Sequence, residues 1–287
     1  MDATSRLPAL FVSHGSPMIA LDPGEAGRFL MRLGPAIDAT FGRPRAVLVL
    51  SAHTLTREPA ALAAPRHEAV YDFGGFDDEL YRLRYDAPGA PDLADRVAAL
   101  LRAQGLPMHR LDRGGLDHGI WTPLRYAWPA ADVPVLPLGW SPYASPSDLF
   151  DLGRALAPLA DDGVLIIGSG SITHNLRRVA MAGMHRQSTP PEAPESAAFR
   201  AWFADRGARR DWDALFAYRA QAPHAVDMHP TDEHLLPWFI AAGAGGRDGA
   251  VVRLHESATH GVLGMDTYAF GPSAPALARA LDATVPA

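Results

Sequence analysis

The chain has 287 residues, of which 48% are hydrophobic and 20% charged, with a formal net charge of -6. That is a globular composition able to bury a sizeable core as one large or two small domains, and it carries no basic footprint for nucleic acid or anionic lipid. Cysteine is absent and all 26 basic residues are arginines, which excludes disulfides, thiolate chemistry, Cys-ligated zinc, Schiff bases and a P-loop lysine. Against these absences stand 12 histidines. The apolar run 9–12 is too short for a signal-peptide core, and nothing approaches the ~18 apolar residues of a membrane span. The expectation is a cytoplasmic protein, monomer or small homo-oligomer, with neither nucleic acid nor membrane as partner.

Short apolar runs ending in small or polar residues recur along the chain. Leu7 to Val12 runs into Ser13-His14-Gly15-Ser16, and Ala46 to Leu50 into Ser51-Ala52-His53. Val133 to Leu138 runs into Gly139-Trp140-Ser141, and Val164 to Ile167 into Gly168-Ser169-Gly170-Ser171-Ile172-Thr173-His174. Runs this short and rich in Val, Ile and Leu read as strands buried on both faces. Helical spacing of apolar residues marks Gly24 to Thr40, Pro91 to Gln104, Ser145 to Ala160 and Pro272 to Thr284, with Ser145 as N-cap and Pro146 in the first turn. Pro190 to Pro194 reads as a bend into a helical stretch, Glu195 to Gln221. Gly243-Ala244-Gly245-Gly246 reads as a flexible loop, and Val251 to Leu254 and Val262 to Phe270 as late strands with room for antiparallel pairing. Alternating strands and helices predict a single-domain, three-layer α/β sandwich over residues 1–287, with a mostly parallel, mixed central sheet.

In open α/β sheets ligands bind beyond the carboxyl ends of the strands. His14, His53 and His174 each follow a predicted strand within a loop of small polar residues. A lone loop histidine is usually a surface or hydrogen-bonded residue, but three strand ends offering imidazole to one rim is what a metal site requires. A fourth candidate lies in Thr231-Asp232-Glu233-His234-Leu235-Leu236-Pro237. Thr231 reads as an N-cap with the acids in the first turn, so that neighbouring Glu233 and His234 point in different directions and do not share one metal. An ordinary capped helix with a solvated acidic start is the competing reading. No Gly-x-Ser-x-Gly elbow or complete dinucleotide fingerprint occurs, and the five-residue spacing of His229 and His234 fits no zincin motif.

Six segments occur in order: Phe11-Val12-Ser13-His14-Gly15-Ser16-Pro17-Met18, Ser51-Ala52-His53, Asp72-Phe73-Gly74-Gly75-Phe76, Asp117-His118-Gly119, Thr173-His174-Asn175-Leu176 and Glu233-His234-Leu235-Leu236-Pro237. Together they resemble the class III extradiol ring-cleaving dioxygenases, in the branch similar to DOPA 4,5-dioxygenase. The resemblance implies a single α/β domain with its metal at the strand carboxyl ends. It implies His14, His53 and His234 as ligands of one divalent metal, Fe(II) for activity and Zn(II) as often isolated. The wider superfamily has glutamate at the third position, which leaves Glu233 as the alternative there. It also implies His174 as catalytic acid/base and His118 as a residue that contacts substrate or stabilises the intermediate. A turn histidine is the plainer reading of His118.

Such a site would cleave a catechol with O2 to a ring-opened semialdehyde. Three ligands on one face of octahedral Fe(II) leave positions for both diol oxygens and O2, and a histidine suits two-way proton transfer. Ser169, Ser171 and Asn175 around His174 are candidates to orient the ring. Asp72 and Phe73 read as shaping a loop near the site, and His260 as pocket-lining or structural. His67, His109, His185, His224 and His255 receive the surface or structural reading. A zinc hydrolase using the same histidines, or a non-catalytic metal-binding scaffold, are the alternatives.

Overall fold

The structure is a computed structural model of the protein and describes residues 6–181 and 190–283. Eight strands form the central sheet: β1 (Ala9–Ser13), β2 (Ala46–Ser51), β3 (Ala60–Leu62), β4 (His109–Leu111), β5 (Val135–Gly139), β6 (Val164–Gly170), β7 (Val251–His255) and β8 (Thr267–Phe270). Their spatial order is β4-β3-β5-β2-β6-β1-β8-β7. The middle, β5-β2-β6-β1, is parallel; β3 joins β5 antiparallel, and β8 and β7 add antiparallel pairs beyond β1. The sheet is therefore mixed with a parallel centre, and the late strands are antiparallel.

Both faces are covered, which is why the central strands carry unbroken apolar runs. Val47 and Val49 of β2 pack with Leu10, Val12, Leu165 and Ile167 against helices α1 (Gly24–Phe41), α3 (His118–Ala127) and, near the carboxyl end, α8 (Ala274–Asp282). Leu48 and Leu50 pack with Phe11, Leu136, Leu138 and Ile166 against α2 (Pro91–Ala103), α4 (Pro146–Leu156), α6 (Pro194–Arg209) and α7 (Pro237–Gly245). Two cores thus sandwich one sheet. A further short helix, α5 (Leu176–Met181), follows the β6 end.

The predicted cap of α4 is present: the Ser145 hydroxyl accepts from the Asp148 amide, and the Asp148 carboxylate accepts from the Ser145 amide. Pro158 lies in the 3-10 turn that ends this segment at Ala160. Three expectations need correction. The stretch 195–221 is not one helix; Arg210 turns left-handed at φ +57, and Asp211 caps a new short helix, 212–216. The stretch 262–270 is two strands, because Leu263–Gly264 pairs with Ala258–Thr259 in a separate two-stranded sheet before β8 begins. Gly243-Ala244-Gly245 is no loop but the last turn of α7. A Cβ at Gly243 would stand 1.9 Å from the Phe150 carbonyl oxygen, and one at Gly153 would stand 2.0 Å from that of Ile240. Glycine here serves close helix crossing between α4 and α7. Thr284, the expected end of the last helix, lies outside the described residues.

His229 is fully buried beside this core, with its Nε2 donating to the Ile172 carbonyl oxygen at 3.0 Å. Burial lowers its pKa to about 4, against the opposing effect of that hydrogen bond. An unfolded chain protonates this imidazole near pH 6.5 while the native one resists, so stability is constant above that pH and falls as pH drops towards about 4. The share of one such histidine is about 3 kcal/mol. His229→Gln keeps a donor but removes the titration. Urea unfolding of chelator-treated protein should show wild type losing about 3 kcal/mol more than H229Q between pH 7 and pH 4; parallel curves would overturn the assignment.

Candidate active site

Because β1, β6 and β2 are adjacent and parallel, their carboxyl ends open on one edge. His14 follows β1 directly, and its amide donates to the Gly170 carbonyl at 2.9 Å. His53 lies two residues past β2, its amide donating to Ser51 Oγ. His174 stands four residues past β6, tied by its amide to the Met228 carbonyl. His118, the first residue of α3, brings a fourth segment to the same rim, and the loop before α7 brings His234 as a fifth.

His234 does not lie in the first turn of a helix capped by Thr231, as the sequence suggested. Residues 231–236 form a turn, α7 begins at Pro237, and the Thr231 hydroxyl donates to Glu233 instead. What holds this turn is the backbone. The His234 carbonyl accepts from the Ser171 amide at 2.8 Å, and a Cβ at Gly170 would stand 1.9 Å from the same oxygen. The loop rests directly on the end of β6 with no side chain between them.

The rings of His14, His53 and His234 form a near-equilateral triangle, with centroids 5.1, 5.4 and 5.0 Å apart, and their ligand nitrogens lie within 4.8 Å of one another. Each ring has an oxygen behind its Nδ1. Ser169 Oγ is 3.0 Å from Nδ1 of His14 and donates its own proton to the Gly119 carbonyl, so it accepts from the imidazole. Glu233 Oε1 is 3.0 Å from Nδ1 of His234, and Asp72 Oδ2 is 3.5 Å from Nδ1 of His53. With the protons on Nδ1, the Nε2 lone pairs turn inward. The 3.2 Å separation of the His14 and His53 Nε2 atoms is then not a hydrogen bond but two lone pairs face to face, the arrangement that suits an intervening cation.

Burial, reinforced by the neighbouring imidazoles, drives all these histidines towards the neutral form. It takes His53 to about 4, and His14 and His234 well below the ordinary value. His174 falls to about 3, again chiefly through burial. Neutral imidazoles are what metal ligation needs. Asp72 moves the other way for its type: burial opposes its ionisation, but hydrogen bonds from the His118 ring and amide hold it below the usual carboxylate range.

The other expected residues divide. The His174 ring stacks on that of His234 at 3.5 Å and 8°, and both line a cavity of about 300 Å³ with His53, His118 and His260. The His118 ring lies 4.1 Å from that of His53. Ser169, Ser171 and Asn175 do not orient His174: Ser169 supports His14, Ser171 donates to the Thr173 carbonyl, and Asn175 Oδ1 caps the start of α5. Asp72 does more than shape a loop, since it backs both His118 and His53. Glu233 is likewise the partner of His234 Nδ1. Nothing local in the sequence signals the role of Asp72, which lies 46 residues from His118, whereas Glu233 adjoins its partner in the chain. His67 is buried, His255 stacks on Phe29, and His109 pairs with Glu58 at the surface. His224 adopts φ +57 ahead of a short helix, and His185 lies outside the described residues.

The sequence profile "Catalytic LigB subunit of aromatic ring-opening dioxygenase" matches residues 8–271. A 4,5-DOPA dioxygenase extradiol of Beta vulgaris is 37% identical over 266 residues, covering 91% of this chain and 95% of the relative. Its namesake from Portulaca grandiflora is 35% identical over 268 residues, with coverage of 91% and 95%. The crystal structure of uncharacterized protein JW3007 from Escherichia coli K12 superposes with a TM-score of 0.73 at 29% identity, covering 93% of this chain and all of that one.

Proposed function

The chain belongs to the LigB family of aromatic ring-opening, class III extradiol dioxygenases, and from that membership we propose that it cleaves a catechol-type substrate with O2 to a ring-opened semialdehyde. In this reading His14, His53 and His234 hold one divalent metal, Fe(II) for turnover and Zn(II) as the ion retained on isolation, while His174 moves the proton and His118 faces the substrate. The observation that carries it is the convergence of three imidazoles whose ligand nitrogens lie within 4.8 Å of one another, each with an oxygen behind its Nδ1. The donor set fits the ion: three neutral imidazole nitrogens beside an open cavity that His53 and His234 help to line. When bound, the metal supplies a shared docking point for the diol and O2 and acidifies the diol hydroxyls.

The chain's own residues supply the rest. His174 lines the cavity as a neutral base, and an anionic oxygen beside it raises its hold on a proton. It takes the second hydroxyl proton and returns it as the ring opens. His118, anchored by Asp72 through Nδ1, keeps Nε2 as its remaining polar atom at the cavity wall. The apolar surroundings limit water around the reacting ring. The balance needs no external reductant: the carbon–carbon bond beside the diol breaks, and both atoms of O2 enter the product.

Relatives named for 4,5-DOPA support the catechol class. The test is single-turnover reaction of Fe(II)-loaded protein under ¹⁸O2, with the aldehyde trapped before it exchanges with water. Both labelled atoms are expected in one ring-opened product. Intradiol dicarboxylate, or turnover unchanged without oxygen, would overturn the reading.

A further inference from the structure

Resting on that ring-cleavage reading, we propose that His260 is a specificity-determining residue: its imidazole takes the carboxylate of an acidic ring substituent, with Arg177 supplying positive charge at the cavity mouth. Beyond His53, His118, His174 and His234, the polar side chains that line the cavity among the described residues are Ser16, Asp72 and His260. Asp72 is taken by the His118 ring and amide, and Ser16 Oγ accepts from the Met18 amide. The His260 ring makes no hydrogen bond among the described residues, although the residue is only 9% exposed. A buried polar group without a partner is costly, and one that borders a cavity is satisfied by what enters there.

The backbone stations this imidazole. His260 stands at the tip of the hairpin that Ala258–Thr259 forms with Leu263–Gly264, at φ +52, with Gly261 following at +69. Among non-glycine residues, histidine is one of the few enriched in that left-handed region. At the base of the hairpin the Gly264 amide donates to Thr173 Oγ1 at 2.7 Å, and its carbonyl accepts from the Ile172 amide at 3.3 Å. The segment that delivers His174 therefore also anchors the hairpin. At the tip, the Gly261 carbonyl accepts from the Ala193 amide at 2.8 Å, while Val262 and Leu263 pack with Val179 of α5. Little ordering is left to oppose the use of this ring by a ligand.

The charges around it favour an anion. Burial alone lowers the pKa of His260, with no acid and no second imidazole acting on it, so it meets a ligand as a neutral N–H donor. The anions of the site are engaged elsewhere, Asp72 with His118 and Glu233 with His234. On α5, Leu176 lines the cavity while 55% exposed, which puts it at the mouth. Arg177 beside it is exposed and forms no ion pair among the described residues, whereas Arg178 is held by Asp227 and Glu195. A substituent carboxylate would exchange water for the His260 N–H and meet an uncompensated guanidinium at the mouth.

The test compares 3-(3,4-dihydroxyphenyl)propionate with the near-isosteric 4-butylcatechol. With Fe(II)-loaded protein, kcat/KM should favour the acid by at least about tenfold, mainly through KM, as befits a hydrogen bond to a charged group. His260→Gly removes the imidazole, suits the left-handed turn without strain and should erase that preference. His260→Asn is at ease in the same conformation and still a donor, and should keep part of it. Arg177→Gln should cost the acid about two- to fivefold, an effect that fades at high salt. Anaerobic calorimetric titration of Zn(II)-loaded protein should show the same order of affinities without turnover. Equal handling of both compounds by the wild type, or an unchanged preference in H260G, overturns the proposal. An unchanged ratio in R177Q overturns the part given to Arg177. Failure to open either ring while the binding order persists counts against the ring-cleavage reading and leaves His260 in its role.

Discussion

Replacing His53 by alanine is expected to abolish stoichiometric retention of Fe(II) or Zn(II) without unfolding the protein, and His14→Ala and His234→Ala to do the same. Loss of a residue that merely orients a ligand costs about 10–100-fold in metal affinity. Loss of one of three ligands exceeds that, because two imidazoles must then hold the ion with water in the third place. The His53 side chain is part-exposed at the rim, so its truncation removes little buried contact. Metal content after dialysis, read beside the melting transition of chelator-treated protein, separates the two effects. Full occupancy in all three variants would sink the ligand set.

His174→Ala is expected to part chemistry from metal retention. Its ring stacks on His234 at 3.5 Å and lies behind no other candidate ligand, so the variant should keep its metal while kcat falls by at least about 10²-fold, the usual worth of a general acid/base. The pH profile should lose the limb that the imidazole contributes. His174, Glu233 and His234 also lie close enough together to share an ion. If H174A lost metal as readily as H14A, His174 would be a ligand and the proton would need another carrier.

The strand ends were legible in the sequence because each central strand is an apolar run cut off by a small polar residue, and parallel strands display their carboxyl ends together. That placed His14, His53 and His174 at one rim before any coordinate. His234 was legible only as part of a motif, and its local setting was misread: acids after a threonine look like a helix start, whereas main-chain contact with β6 imposes a turn. The glycines at 243–246 misled for a related reason. Composition cannot distinguish a glycine that frees a loop from one that lets two helices touch. Asp72 and Ser169 were undervalued because their roles arise from contacts across the fold, to which periodicity is blind, and Glu233 because it was weighed only as a rival ligand and not as the partner of the neighbouring imidazole.

In the proposed ligand set, the backbone seat of residue 234 bears on how an ion would be taken up. Its carbonyl is locked to the Ser171 amide and lies flush on Gly170, so the third imidazole is stationed by the sheet and not by a mobile arm that the ion must gather in. Loading then amounts to exchange of hydration water for nitrogen, with little chain ordering to set against it. With the proposed ligand set, a metal that binds only the folded chain would add about 2.7 kcal/mol of stability when the free ion stands at 100 times the dissociation constant. A seat held this rigidly also leaves little compliance for ions of other radius, so discrimination among metals would reside in the frame itself.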